Sequence, residues 1–428
     1  MENIDPNIKQ VNGPINVVRL EGTVDNIKKV IYVFMDMHVD MQDQTECDNI
    51  FSSDIQTYLA KNFYKLNGQD TMYDFFFEVQ PYQLQRNSDI NQQKFIVETN
   101  RRMIYIQEVY KFFKKMFTFD PTKNKVMISD VLKNVRLHYI DIREFFYMSF
   151  YYKLDELTNI SIQYMRDITI WPRSLDYMSQ ILESFKQYCE LVSDILGDKT
   201  INKKAKKVQI INIPSENQPQ DMRDMPSREE HLRYMINKIT NVYNNPHTKK
   251  ILNKMLDKTR SDLKLMMTEV DDTINLFKEY GNIIRFSTDK LIKQSEKSSL
   301  PFNYGVSSST IREMINKIVD ITWGIFNKFV DMYVIIMDIY FLRRFLDKSY
   351  ITHAITYTGG AHSNNYIHIL VKWFGFKITH VSYSKITDLN KLTDVVRKKK
   401  SSMSLMELLY PPISQQCSDM TNFPPDFK

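Results

Sequence analysis

The sequence predicts an α/β fold, with a mostly parallel sheet built from both chain ends and a large all-helical insertion between them. Three observations lead there. The N-terminal third alternates short β-branched or aromatic runs with helical stretches, long helical periodicity then takes over, and the alternation returns towards the C-terminus.

The first strand is expected at Lys28–Met35 (KKVIYVFM), a near-continuous apolar run suited to a strand covered on both faces. Ser53 or Asp54 can cap a helix whose Ile55, Tyr58, Leu59, Phe63 and Leu66 form one apolar face. Tyr73–Val79 (YDFFFEV) reads as the next strand, Met103–Phe117 as an amphipathic helix, and Val135–Ile142 (VRLHYIDI) as a third strand. This β-α-β-α-β order implies parallel pairing. Helices then follow at Leu175–Leu196, Glu230–Val242, Lys249–Tyr280 and Thr310–Leu346, broken by a polar, proline-containing linker at Pro214–Arg228. Nothing polar recurs on their inner faces, so they read as a bundle that caps the core or forms homo-oligomers. The α/β pattern resumes with a strand at Tyr350–Tyr357, a turn at Thr358-Gly359-Gly360-Ala361, a helix at Asn364–Phe374 and a strand at Phe376–Tyr383. The expected division is 1–144 for the N-terminal half of the core, 145–348 for the insertion and 349–410 for the C-terminal half. Residues 411–428, with two proline pairs, read as a tail that is disordered or lies on the surface.

Composition narrows the class. The chain has 428 residues, enough for two or three ordinary domains or one large domain with an insertion, and 43% hydrophobic with 25% charged residues is the balance of a folded soluble protein. The net charge of +6 is spread along the chain apart from the run Arg397-Lys398-Lys399-Lys400, which no aromatic pattern accompanies. Nucleic-acid binding is therefore not expected. Cys47, Cys189 and Cys417 lie far apart without a CxxC pair for zinc or a redox disulfide, which fits a reducing compartment. The N-terminus lacks the features of a signal peptide, and Phe326–Leu346 carries too many charges to span a bilayer. The cytosol is the expected location.

Polar residues that follow parallel strands gather at the C-terminal edge of the sheet, where open α/β folds place their ligands. Asp36 and His38 follow the first strand, Glu78 ends the second, Asp141 and Arg143 end the third, and His362 follows the late strand. Imidazoles and carboxylates are the usual ligands of divalent ions. Asp36 and His38, two positions apart on an extended chain, are expected to point the same way and so to be able to share a ligand. Gly359 and Gly360 let the backbone approach a ligand closely, and Asn364 can cap the following helix, whose N-terminus favours anionic groups. Singly, each residue also fits a structural role: a hydrogen-bonded histidine, an edge carboxylate, a strand-end ion pair.

The segment YTGGAHSNNYIHILVKWFGFKITHVSY resembles the second histidine motif of the TraB/TIKI/GumN group, which shares a superfamily with ChaN-like and erythromycin-esterase-like proteins. Gly359 and His362 match its G-x-x-H turn, and IYVFMDMH resembles the first motif with His38 in place. Met35 stands where that motif has glycine, and Asp36 is an added carboxylate. Glu78 corresponds to the group's strand-end glutamate and Arg143 to its arginine site. The matches cover short segments and leave the helical middle aside. FMDMHVDMQDQTEC together with GGAHSNN, in a lysine- and asparagine-heavy chain, is similar to proteins of giant nucleocytoplasmic DNA viruses.

The resemblance implies metal-dependent hydrolysis, with TIKI-like members acting as proteases, so the expected substrate class includes peptides. An ion of Mn or Co type held by His38, His362 and Asp36 would activate water, Glu78 would serve as ligand or base, Asp141 would complete the site, and Arg143 would stabilise a developing oxyanion. The alternative is a non-enzymatic viral structural or interaction protein that keeps the core, favoured by the long insertion and by Met35. A haem- or small-molecule-binding protein is a third option.

Overall fold

The computed structural model describes residues 9–78, 105–117, 127–142, 148–164, 171–197, 228–297 and 309–428. The proline-containing stretch up to residue 227 and Arg143 lie outside these residues. The chain divides into two compact units, one formed by Met1–Ile142, Tyr243–Ile251 and Met337–Lys428, the other by Arg143–Val242 and Leu252–Ile336.

In the first unit, β1 (Gln10–Asn12), β2 (Asn16–Val24) and β3 (Ile27–Asp36) precede β4 (Ser53–Asp54) and α1 (Ile55–Lys65). Then come β5 (Tyr73–Phe77), α2 (Tyr105–Lys114) and β6 (Val135–Tyr139). Among the described residues a six-stranded sheet has the order β6-β5-β7-β3-β2-β8, where β7 is His353–Gly359 and β8 is Lys377–Val381. The pairs β6-β5, β5-β7 and β7-β3 are parallel, whereas β3-β2 and β2-β8 are antiparallel. The core is thus α/β and drawn from both ends of the chain, and its sheet is mixed, with three of its five strand pairs parallel. The antiparallel part comes from a hairpin. Asp25 and Asn26, both at positive φ (52° and 61°), turn β2 back into β3 with Val24 opposite Ile27. That Asp-Asn pair between two β-branched runs is the sequence signal for a strand that the expectation above lacks.

Side chains alternate across the sheet. Tyr32, Phe34, Phe75, Phe77, Ile355 and Tyr357 face a core shared with α1 and α2. On the opposite face Phe76 packs edge-on against Phe341, ring centres 4.9 Å apart, and Phe341 lies 4.4 Å from Tyr366. Those two come from α7 (Ser309–Asp347) and α8 (Gly360–Trp373). Lys29 ties α7 to the sheet. Its buried ammonium donates to the carbonyls of Phe345, Lys348 and Ile351 at 2.9, 2.9 and 2.6 Å, satisfying the helix's C-terminal acceptors.

Two expectations are corrected in this unit. Residues 411–428 do not form a surface tail: β9 (Cys417–Asp419) pairs with β1 in a second sheet of order β4-β1-β9, and Phe427 is 3% exposed, edge-on to Tyr32. Proline pairs only punctuate this segment, while its aromatic side chains dock. Nor are all three cysteines unpaired, because Cys47 is disulfide-bonded to Cys417 across a sequence separation of 370. Spacing reveals local pairs, and the fold makes this one. Cys189 is free and buried.

The second unit is helical, with α3 (Met148–Tyr164), α4 (Trp171–Ile195), α5 (Arg228–Thr240), most of α6 (Pro246–Glu296) and the first part of α7. Phe185 packs edge-on to Phe329, and the hydroxyls of Tyr188 and Tyr333 meet at 2.8 Å in its interior. Lys186 and Asp271 pair at 2.7 Å. The helical insertion is therefore narrower than 145–348: residues 243–251 and 337–348 belong with the core. No helix among the described residues is long and apolar enough to cross a membrane.

Candidate functional site

The sheet order puts β5, β7 and β3 side by side and parallel, so the residues leaving their C-terminal ends converge. Asp36, the last residue of β3, lies in register with Gly359, the last of β7. Glu78 follows β5 directly and donates its N–H to Tyr357 at 3.2 Å. One carboxylate thus stands on each side of the turn that carries His362.

Glu78 is the centre. Its Oε1 lies 3.5 Å from Nε2 of His38 and 3.6 Å from Nε2 of His362. Its Oε2 accepts the Gly359 N–H at 2.7 Å, so the carboxylate also caps the N-terminus of α8, where negative charge is favoured. Each imidazole is gripped from behind by a second carboxylate. Asp36 Oδ2 accepts the His38 backbone N–H at 2.8 Å and contacts its Nδ1. Asp338, on α7, contacts Nδ1 of His362 at 2.7 Å and accepts from the Asn365 amide at 2.6 Å. Tyr357 donates to the remaining oxygen of Asp36 at 2.8 Å. Gly359 is required by this packing: a Cβ there would lie 2.7 Å from His38 Nε2.

Asp36, Glu78 and Asp338 are 1%, 7% and 0% exposed, and burying three carboxylates demands nearby positive charge or proton uptake. Burial alone would depress the His38 imidazole. Hydrogen bonds that its ring donates to the Asp36 and Glu78 carboxylates outweigh it and push its pKa up to about 10, so His38 is an imidazolium at neutral pH. Burial raises Asp338 above the usual carboxylate range, with His362 and Asn365 opposing it. The His38 side chain, 37% exposed, is the solvent-facing member, whereas His362 is 9% exposed.

The structure therefore brings His38, Glu78 and His362 together, with Asp36 alongside. Asp36 does not point where His38 points, as extended chain would require. His38 has φ +52°, and the turn folds its ring back onto Asp36, whose oxygens are already occupied. Asp141 is buried at the end of β6, where its charge reaches the Tyr366 hydroxyl. Arg143 lies outside the described residues. Gly360 abuts Tyr410, whose hydroxyl would sit 2.0 Å from an added Cβ. Asn364 does not cap α8, which begins at Gly360; it is buried within the helix and donates to Tyr410 at 3.3 Å. Asp338, Tyr357 and Asn365 were not among the expected site residues. Only Asp338 carried a signal: a carboxylate inside the apolar run VIIMDIY must find a partner.

Donor chemistry suits a divalent ion. Each Nδ1 is engaged by a carboxylate, leaving Nε2 as the ligating nitrogen. Two separations of 3.5 and 3.6 Å are close to the ~3.4 Å edge of a tetrahedral site with bonds near 2.1 Å. Among the described residues no group of three such side chains is spaced to hold an ion.

Comparison with known proteins places these observations in a viral setting. The model of a family of unknown function (DUF5847) matches residues 9–428. "Uncharacterized protein R706" of Acanthamoeba polyphaga mimivirus is 40% identical over 426 residues, covering 99% of this chain and 98% of its own. "Uncharacterized protein R161" of the same virus is 35% identical over 447 residues, covering 100% of both chains. "Uncharacterized protein R160" is 34% identical over 439, covering 99% and 98%. No solved structure matches the chain.

Proposed function

We propose that this chain, which belongs to the DUF5847 family, is a divalent-metal-dependent hydrolase centred on His38, Glu78 and His362. The observation that carries the reading is that two imidazoles, each oriented through Nδ1 by its own buried carboxylate, face one oxygen of the same glutamate. The resemblance of the two histidine segments to the TraB/TIKI/GumN group supports it.

His38 and His362 would hold an ion of Mn or Co type, which when bound supplies Lewis acidity and a water of lowered pKa. Asp36 and Asp338 fix both rings, so that no rotation is needed to present Nε2. Glu78 is the ligand or the base: Gly359 pins Oε2, leaving Oε1 to coordinate or take a proton. Asp141 completes the buried acidic set, and Arg143 is the proposed partner of a developing oxyanion. Peptides are the first substrate class to test. A second reading, a viral structural or interaction protein in which His38 and its buried carboxylates form only an ion-pair network, is favoured by the absence of a preformed ligand triad among the described residues.

The test is a peptide and ester library incubated with Mn2+- or Co2+-loaded protein and read by mass spectrometry. The hydrolase reading expects cleavage that falls at least about 100-fold in Glu78→Gln, the scale of a lost acid–base group. Loaded protein that cleaves nothing, or cleavage unchanged in Glu78→Gln, supports the second reading.

A further inference from the structure

The stretch that leaves His38 is fastened to a distant part of the core. Cys47 within it is bonded to Cys417 of β9. The same two segments are joined by Gln416 N–H to Thr45 Oγ1 at 2.7 Å and by the Gln415 side-chain amide to the Glu46 carbonyl at 2.9 Å. Cys47 N–H also donates to Asn12 at 2.8 Å, and Asn12 pairs with Cys417 between β1 and β9. The segment entering Cys417 starts from Tyr410, whose hydroxyl lies against Gly360. One covalent bond therefore ties the chain leaving His38 to the chain leaving Tyr410.

That fastening bears on the site because His38 sits at φ +52°, a left-handed conformation that is unfavourable for a non-glycine residue and persists only where its surroundings fix it. Upstream, Asp36 holds the His38 N–H and ring. Downstream, the Val39 carbonyl accepts from Tyr105 N–H at 3.2 Å, and beyond it the disulfide acts together with the hydrogen bonds at Thr45, Glu46 and Cys47. Of the two bonded residues, Cys47 is buried and Cys417 only partly so.

We propose that Cys47–Cys417 is a thiol–disulfide exchange site for a dithiol, and that opening it loosens the His38 stretch and weakens the candidate site. A thiolate of the dithiol bonds to Cys417 Sγ, the S–S bond breaks, and its electron pair leaves on Cys47 Sγ, which takes a proton from water. The second thiol of the reagent, deprotonated, then attacks its own sulfur in the mixed disulfide. The Cys417 thiolate departs and is protonated, and the dithiol ends oxidised by two electrons. The loosening stands on the contacts above; its effect on ion binding rests on the proposed function.

The test uses the full oxidised chain with dithiothreitol as probe, thiols being counted by alkylation. Two new thiols should appear. Hydrogen exchange should rise at least tenfold in peptides covering residues 39–52 and 410–419, while β3 and β7 stay protected. Cys47→Ser should exchange fast without reductant and ignore it. Mn2+ affinity should fall about tenfold on reduction. A bond that dithiothreitol leaves intact in folded protein, or full reduction with unchanged exchange in both segments, overturns the proposal. If oxidised protein binds no ion, the metal reading fails, and exchange alone decides the clasp.

Discussion

Nδ1 of His362 lies 2.7 Å from Oδ1 of Asp338, a carboxylate with no solvent exposure in an otherwise apolar stretch of α7. Asp338 acts on the His362 ring by direct contact, and its charge is also coupled to Glu78. Asp338→Asn keeps the volume and should weaken Mn2+ binding about 10- to 100-fold, the usual loss for a group behind a metal-binding histidine. Unchanged affinity in a folded variant would show that His362 needs no such support.

The two adjacent glycines separate two effects. Gly359→Ala drives a Cβ against His38 Nε2, and Gly360→Ala drives one against the Tyr410 hydroxyl. The first should abolish ion binding. The second should cost about 1–3 kcal/mol through displaced Tyr410 and leave ion binding within a few-fold. Denaturant melts with metal titrations on both variants check this, and equal effects would contradict it.

Two histidines, the solvent-facing His38 and the buried His138, predict opposite pH dependences in metal-free protein. The folded-state pKa of His38 is raised to about 10, so its contribution is fully present below the ordinary value of 6.5 and is lost as pH rises through 10. His138 is lowered to about 4 by burial, assisted by Arg344 and Arg136 and opposed by Asp74. Its contribution is present above 6.5 and is lost as pH falls towards 4. With chelator present, the stability gap between wild type and His38→Gln should narrow from pH 7 to pH 10. His138→Gln should blunt the acid loss between pH 6.5 and 4. Gaps that stay flat across those windows would contradict the assignments.

Phe427 tests the docking of the C-terminal segment. Its ring lies among Tyr32, Phe34, Tyr58 and Phe63, with centroids between 5.1 and 6.4 Å away. Phe427→Ala should cost about 3–5 kcal/mol by chemical denaturation. A loss under about 1 kcal/mol would mean the segment does not pack as described.

The centre of the site was legible because His38, Glu78 and His362 each follow an apolar run, and the parallel order of those runs gathers their C-terminal ends. What lay behind the centre was not. Asp338 sits on a helix whose periodicity shows an apolar face but not which neighbour meets one polar residue on it. The role of Asp36 turned on the φ of His38, a backbone angle that residue types suggest only weakly outside glycine and asparagine. The disulfide was hidden because its cysteines become neighbours only when β1 and β9 pair, and β2 because the first strand is expected only from Lys28, although Asp25-Asn26 marks a two-residue turn before it.

The most direct test of the shared centre is calorimetric titration of Mn2+ and Co2+ into wild type, His38→Ala and His362→Ala, in buffers of different ionisation enthalpy. The account predicts one ion per wild-type chain, proton release on binding as the His38 imidazolium gives up its proton, and loss of binding in both variants. Ion binding that is absent from wild type, or that survives in either variant at wild-type affinity, would contradict it.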